Sequence, residues 1–172
     1  MAKFYISDLH LFDKNIIKSA NRPHKDIQEM HMDIIIKWNK KITKNDIVYI
    51  VGDVGLPSNL YETRELIKIL KLLNGKKVLI VGNHDREMIK DSSFRKCFIR
   101  IEEYYRVFDN GKKVILFHFP IEDWEGRKKG AIHIHGHIHK KKVSFVKNRY
   151  HVGCDTQGFL PVTLKELMNK KA

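Results

Sequence analysis

Hydrophobic and polar positions change texture along the chain. In the front part, short apolar runs alternate with stretches at helical period. Residues 3–7, 47–51, 77–81 and 113–117 read as buried strands, each a run of β-branched or aromatic residues. Residues 26–41 place Ile27, Met30, Ile34, Ile35 and Trp38 at the 3.6-residue period of a helix lying on a sheet. A second helix is predicted over 59–73, with Ser58 as its cap, acids early and lysines late, and Asn74-Gly75 as a left-handed stop. From Tyr104 onward the strands shorten, to 104–108, 131–135, 143–146 and 150–152, with Asp109-Asn110-Gly111 as a hairpin turn. A last helix follows Thr163, where Thr163 and Glu166 spell a capping box. The pattern predicts an α/β (α+β) chain of two packed sheets with helices outside. It is expected to form a single domain over residues 1–172.

Composition narrows the class. Apolar residues make up 42% and charged residues 31% of the 172, as in an ordinary globular protein rather than a disordered one. The longest apolar run, Ile47 to Val51, is far too short to cross a bilayer, so no membrane association is expected. Polar residues interrupt the amino terminus before a signal-peptide core could form. Cys97 and Cys154 show no Cys-x-x-Cys pairing, and the expected compartment is a reducing cytoplasm. The formal charge of +13 favours anionic partners. It does not choose between nucleic acid, nucleotides and other phosphorylated molecules, and a lysine-rich solvated surface gives the same number.

The chemistry is concentrated at the carboxyl ends of the predicted strands, where open α/β sheets place their ligand sites. Asp8 and His10 would point to one side of an extended chain and offer a carboxylate and an imidazole to one cation. Gly52-Asp53 follows the second strand, and a carboxylate there can bridge two cations. Gly82-Asn83-His84-Asp85 follows the third: Asn83 offers a carbonyl oxygen, His84 a proton donor, and Asp85 a partner to orient the imidazole. His118 follows the strand 113–117. Residues 131–139 alternate histidine with apolar residues up to Gly136, which is expected to bend the chain. His137 and His139 are favoured for metal, and His133 and His135 for packing. Asp8, His10, Asp53, Asn83, His118, His137 and His139 are too many donors for one ion and suit two ions sharing a carboxylate. Carboxylate and imidazole without thiolate indicate two divalent transition metal ions, manganese first, with iron, zinc, cobalt or nickel as alternatives.

The order Asp-x-His, Gly-Asp, Gly-Asn-His-Asp, His, Gly-His-x-His resembles the calcineurin-like metallophosphoesterase superfamily, over Asp8 to His139. Asn21-Arg22-Pro23, Pro120, Trp124, Val152-Gly153-Cys154-Asp155 and Pro161-Val162 resemble its small bacterial and phage phosphoesterases. The resemblance implies a two-sheet sandwich flanked by helices. It implies Asp8, His10 and His139 at one metal, Asn83, His118 and His137 at the other, and Asp53 between them. It also implies His84 as general acid with Asp85 beside it. Where Ser/Thr protein phosphatases of the superfamily continue Gly-Asp-x-Val-Asp-Arg-Gly, this chain has Val54-Gly55-Leu56 after Asp53, which argues against phosphoproteins.

The implied activity is hydrolysis of a phosphate ester, a phosphodiester or nucleotide-like substrate, by in-line attack of a metal-bridging hydroxide. Alternatives are a phosphomonoesterase, a nuclease acting on nucleic acid, or a silent scaffold of the same fold. Arg22 is a candidate to hold a substrate phosphate bidentately. Arg127–Lys129 and Lys140–Lys142 either line the mouth of the site or are solvated loops. Trp124 is expected to be a partly buried loop aromatic, and His24, His31 and His151 to be ordinary residues.

Overall fold

A computed structural model describes residues 1–169; the last three residues of the expected domain lie outside the described residues. The alternation along the first strands is resolved by burial on both faces. β1 (Lys3–Ile6), β2 (Ile47–Ile50), β3 (Lys76–Ile80) and β4 (Arg100–Glu102) form a parallel sheet in that order. Phe4, Ile6, Val48, Ile50 and Leu79 turn one way and pack on two crossover helices, α2 (Ile27–Lys41) and α3 (Leu60–Leu72). Met30, Ile34, Trp38, Leu66 and Leu70 meet them there, on the helix faces that the 3.6-residue period marks. Tyr5, Tyr49, Val51, Val78 and Ile80 turn the other way, into the space between the sheets.

The second sheet is mixed. β5 (Tyr104–Asp109) and β6 (Lys112–Phe117) are an antiparallel hairpin, and β7 (Ile132–His135) and β8 (Arg149–His151) add in parallel. Val114, Leu116, Ile132 and Ile134 face the first sheet. Ile115 faces outward and is covered by Trp124, Ala131, Ile121 and Val146, a loop rather than a helix. The alternating histidines share this outer face: His133 lies against the Trp124 ring at 5.3 Å between centroids. The chain after β8 returns along the free edge of β1, where Tyr5 N–H donates to Val162 O (2.8 Å) and Ser7 N–H to Val152 O (3.0 Å). This return brings residues 153–155 to the end of β1.

Three expectations change. Residues 143–146 are not a strand; Val143 and Phe145 are exposed in the loop before β8. The cap of α3 is Asn59, whose side chain accepts from Glu62 N–H, while Ser58 binds the Glu62 carboxylate from outside the helix. Asp109 belongs to β5, paired with Lys112, so the turn is Asn110-Gly111 alone, both at positive φ as a two-residue hairpin requires. The Thr163–Glu166 capping box forms at the start of α5 (Leu164–Asn169). β4 and the short helices α1 (Ile16–Ser19) and α4 (Ser92–Arg95) carry too few residues for a periodic signal.

Candidate metal centre

Three of the four strands of the first sheet, β1, β2 and β3, and β6 and β7 in the second, deliver loops bearing polar residues. Asp8 follows β1, Asp53 follows β2, Asn83 and His84 follow β3, His118 follows β6, and His137 and His139 follow β7. The chain reaches its final geometry through left-handed backbone, not through strand alternation. Asp8, His10, Asp53, His137 and His139 all have φ between 50° and 73°. Such conformations cost about 1–3 kcal/mol each in a non-glycine residue and persist only where surrounding structure over-determines them. Gly136 is needed for close approach: a Cβ there would stand 2.5 Å from Ser7 Oγ and 2.7 Å from Asp8 Oδ2.

The donors gather as two groups. One atom each of Asp8, His10 and His139 lie within 4.8 Å of one another, as do one atom each of Asp53, His118 and His137. Asp53 Oδ2 stands 3.3 Å from His118 Nε2 and 3.6 Å from His10 Nε2, so it faces both groups. Asn83 Oδ1 is 3.1 Å from His118 Nε2 and 3.1 Å from His137 Nδ1.

Hydrogen bonding on the far side of each ring fits these residues to cations. His10 Nδ1 faces the Asp13 carboxylate (3.1 Å), His139 Nδ1 faces Asp155 (2.8 Å), and His118 Nδ1 faces Val51 O (2.9 Å). Those partners only accept, so each Nδ1 carries the proton and each Nε2 presents a lone pair. For His10 that lone pair is buried with no hydrogen-bond partner. A buried lone pair aimed at carboxylate oxygens is reconciled by a cation between them, and a ring held by a carboxylate behind it is the usual outer shell of a metal-binding histidine. Asp13 and Asp155 were not among the sequence candidates. Asp13 is an ordinary acid three residues past His10, and Asp155 lies in the Gly153-Cys154-Asp155 text without any spacing that ties it to His139.

Two expected roles are not met by the geometry. The Arg22 guanidinium is fully buried: it pairs with both oxygens of Asp155 (2.8 and 3.1 Å) and donates to Leu9 O and Asp8 O. Its donors are taken up within the protein, leaving no face for a substrate phosphate. Asp85 does not orient His84. Its carboxylate accepts from the N–H groups of Asp53, Val54 and Gly82, at 2.8–2.9 Å, and ties the loop after β2 to the loop after β3. His84 itself stands at the rim, partly exposed, its N–H on Asp53 Oδ1 (3.0 Å) and its ring edge-on to His10 at 5.3 Å.

Electrostatics follow from these contacts. Burial alone would raise the Asp53 carboxyl, but in the metal-free protein a protonated His118, by hydrogen bond and charge, outweighs it and brings it down to about 2. Asp155 is likewise lowered to about 2, its burial overcome by His139 and Arg22. The Asp155 hydrogen bond raises His139. Behind this cluster His133, His135 and His151 stack at 5.4 and 5.3 Å, and burial keeps His135 near 3 and His151 near 4. The two basic runs part company. Lys140–Lys142 leave directly from His139, whereas Lys129 lies with Lys112 and Lys113 at the start of β6, the end away from His118. Trp124 is buried, its Nε1–H on Ala131 O (3.0 Å).

The family model for calcineurin-like phosphoesterases matches residues 4–141, which includes all seven donors. The chain belongs to that family. Its members are divalent-metal-dependent hydrolases of phosphate esters, and this phosphoesterase carries two candidate metal sites to match. It is 40% identical over 140 residues to an uncharacterized protein of Methanocaldococcus jannaschii, covering 81% of this chain and 70% of that one. It is 28% identical to the Gene 66 protein of Mycobacterium phage L5, covering 91% and 88%. Among solved structures, a protein of unknown function from Aquifex aeolicus shares its fold, with a TM-score of 0.75 at 23% identity over 96% of this chain and 97% of that one. Pseudomonas putida nuclease MPE shares it more loosely, with a TM-score of 0.50 at 21% identity over 80% and 60%. Among the described residues no helix is long and apolar enough to cross a membrane.

Proposed function

We propose that this phosphoesterase is a dinuclear enzyme acting on a phosphodiester or nucleotide-like substrate, one catalytic domain working in the cytoplasm with manganese. The observation that carries the dinuclear reading is Asp53 Oδ2, set between His10 Nε2 and His118 Nε2. Asp8, His10 and His139 would hold one ion, Asn83, His118 and His137 the other, and Asp53 both. Bound ions at such a pair supply neutralisation of the phosphoryl oxygens and acidification of water for in-line displacement. Unpaired thiols at Cys97 and Cys154 support a reducing compartment. Val54-Gly55-Leu56 after Asp53, in place of the protein-phosphatase motif, and the basic surface support a nucleotide-like ester over a phosphoprotein.

His84 is the proton donor in this reading. Its backbone N–H on Asp53 Oδ1 fixes it beside the centre, and its partly exposed ring can reach a departing oxygen that buried ligands cannot. A positioned acid contributes typically about 10²–10⁴-fold. The test compares bis(p-nitrophenyl) phosphate, p-nitrophenyl phosphate and a phosphopeptide, with chelator and with restored Mn²⁺. Hydrolysis should vanish on chelation, return with Mn²⁺ and favour the diester. His84→Ala should keep its metal content and lose about two to four decades in rate, least for the p-nitrophenolate leaving group. Full activity after chelation, preference for the phosphopeptide, or loss of metal from His84→Ala would overturn the corresponding assignment.

A further inference from the structure

Beside the metal centre lies a cleft of about 440 Å³ that opens onto His139. One wall is α1 and the two residues after it: Ile16 and Ala20, largely buried in the core, lie at its base, and Ser19 and Asn21 form a polar edge. The other wall is Lys140 and Lys141, both exposed. No acid lines this cleft. Lys140 Nζ spans it to donate to Asn21 O (2.8 Å), which fixes the ammonium across the mouth and leaves its other two N–H groups free. Neither lysine has a carboxylate partner among the described residues, while at the far end of β6 Lys113 pairs with Glu125 and Arg127 with Asp123. Part of the +13 charge therefore stands next to the reacting centre without a carboxylate partner.

We infer that this cleft is the subsite for the strand flanking the scissile phosphate, and that the substrate is a polynucleotide. The inference rests on the phosphodiester reading above. It extends that reading from one ester to a chain carrying a second phosphate. The chemistry is matched on both walls: the polar edge of Ser19 and Asn21 suits a sugar, and two ammonium groups without carboxylate partners suit the next phosphate, which they bind as point charges. A mononucleotide or a simple diester would leave both lysines without a partner.

The test measures binding rather than turnover. A fluorescent phosphorothioate oligothymidylate, which resists hydrolysis, is titrated onto the Mn²⁺-loaded protein over a range of salt. Lys140→Gln with Lys141→Gln is compared with Lys128→Gln with Lys129→Gln, circular dichroism confirming the fold of each. Glutamine at 140 retains a donor for Asn21 O. Removing two single-strand phosphate contacts should make the salt slope shallower by about 1.4, equivalent to a roughly 25-fold weaker Kd at 0.1 M salt. The 128/129 pair should bind as the unaltered protein does. No loss in the 140/141 pair, or equal loss in both pairs, overturns the subsite. Failure of the unaltered enzyme to hydrolyse any small diester with Mn²⁺ would instead remove the phosphodiester reading, whatever the oligonucleotide titration shows.

Discussion

Arg22 illustrates what a single side chain can and cannot reveal by type. A guanidinium close to a metal motif has the right fork for a phosphate. Here the same fork is turned inward, where it clamps Asp155, which in turn faces His139 Nδ1, and holds the carbonyls of Asp8 and Leu9. Three loops that reach the centre are thus joined through one buried cation. Arg22→Ala would leave the Asp155 carboxylate buried without its partner, a loss of about 3–5 kcal/mol, read in a urea titration of the metal-free protein. Arg22→Lys should recover only part of it, since a point charge cannot meet both carboxylate oxygens and two carbonyls. A variant of unchanged stability that showed only a raised KM would return Arg22 to the substrate.

At the scale of elements, the strands aim the site and the loops after them set its geometry. Parallel strands bring the ends of β1, β2 and β3 to one side, and five left-handed residues then turn the donors toward one another. The crossover helices depend on ordinary terminal chemistry. Asn59 accepts from Glu62 N–H inside α3, and Ser58 binds the Glu62 carboxylate rather than a helix N–H. Asn59→Ala should therefore cost about 1 kcal/mol, within the 0.5–2 kcal/mol of a lost N-cap. Ser58→Ala should cost distinctly less. The comparison is a pair of denaturant midpoints at constant slope, and the reverse order would place the cap at Ser58 after all.

For the whole molecule, buried neutral imidazoles set the acid limit of stability. His31 is buried and accepts from Phe12 N–H at Nε2, and His133 lies under Trp124; burial lowers each to about 4. An unfolded histidine titrates near 6.5. Below that value the unfolded chain takes up protons that the native state refuses, so stability falls with pH. The contribution is complete above about 6.5 and is lost progressively down to about 4. Asp53 and Asp155, lowered to about 2, act in the same direction but at more acid pH, below the ordinary carboxylate range. Urea midpoints of the metal-free protein should accordingly drop between pH 7.5 and 5. His31→Gln should flatten part of that slope, and a midpoint constant over this window would show that these rings titrate freely in the native state.

The sequence alone determined the two-sheet architecture and named the seven candidate donors, because both are written in local order. Strand alternation, helix period and capping residues each act within a few positions, and the five motifs follow one another along the chain. Tertiary structure decided what depends on residues far apart in that order. Asp155 reaches His139 only because residues 152–162 return along the edge of β1, and that pairing is a matter of a free sheet edge rather than of spacing. Sequence adjacency pairs Asp85 with His84, but three N–H groups from two loops capture its carboxylate first. The expected strand at 143–146 had the propensity but no neighbour to pair with, and a strand without a partner leaves its backbone to water. The two basic runs look equivalent in the sequence. They differ because β6 carries its ends about 17 Å apart, with His118 at one and Lys113 at the other.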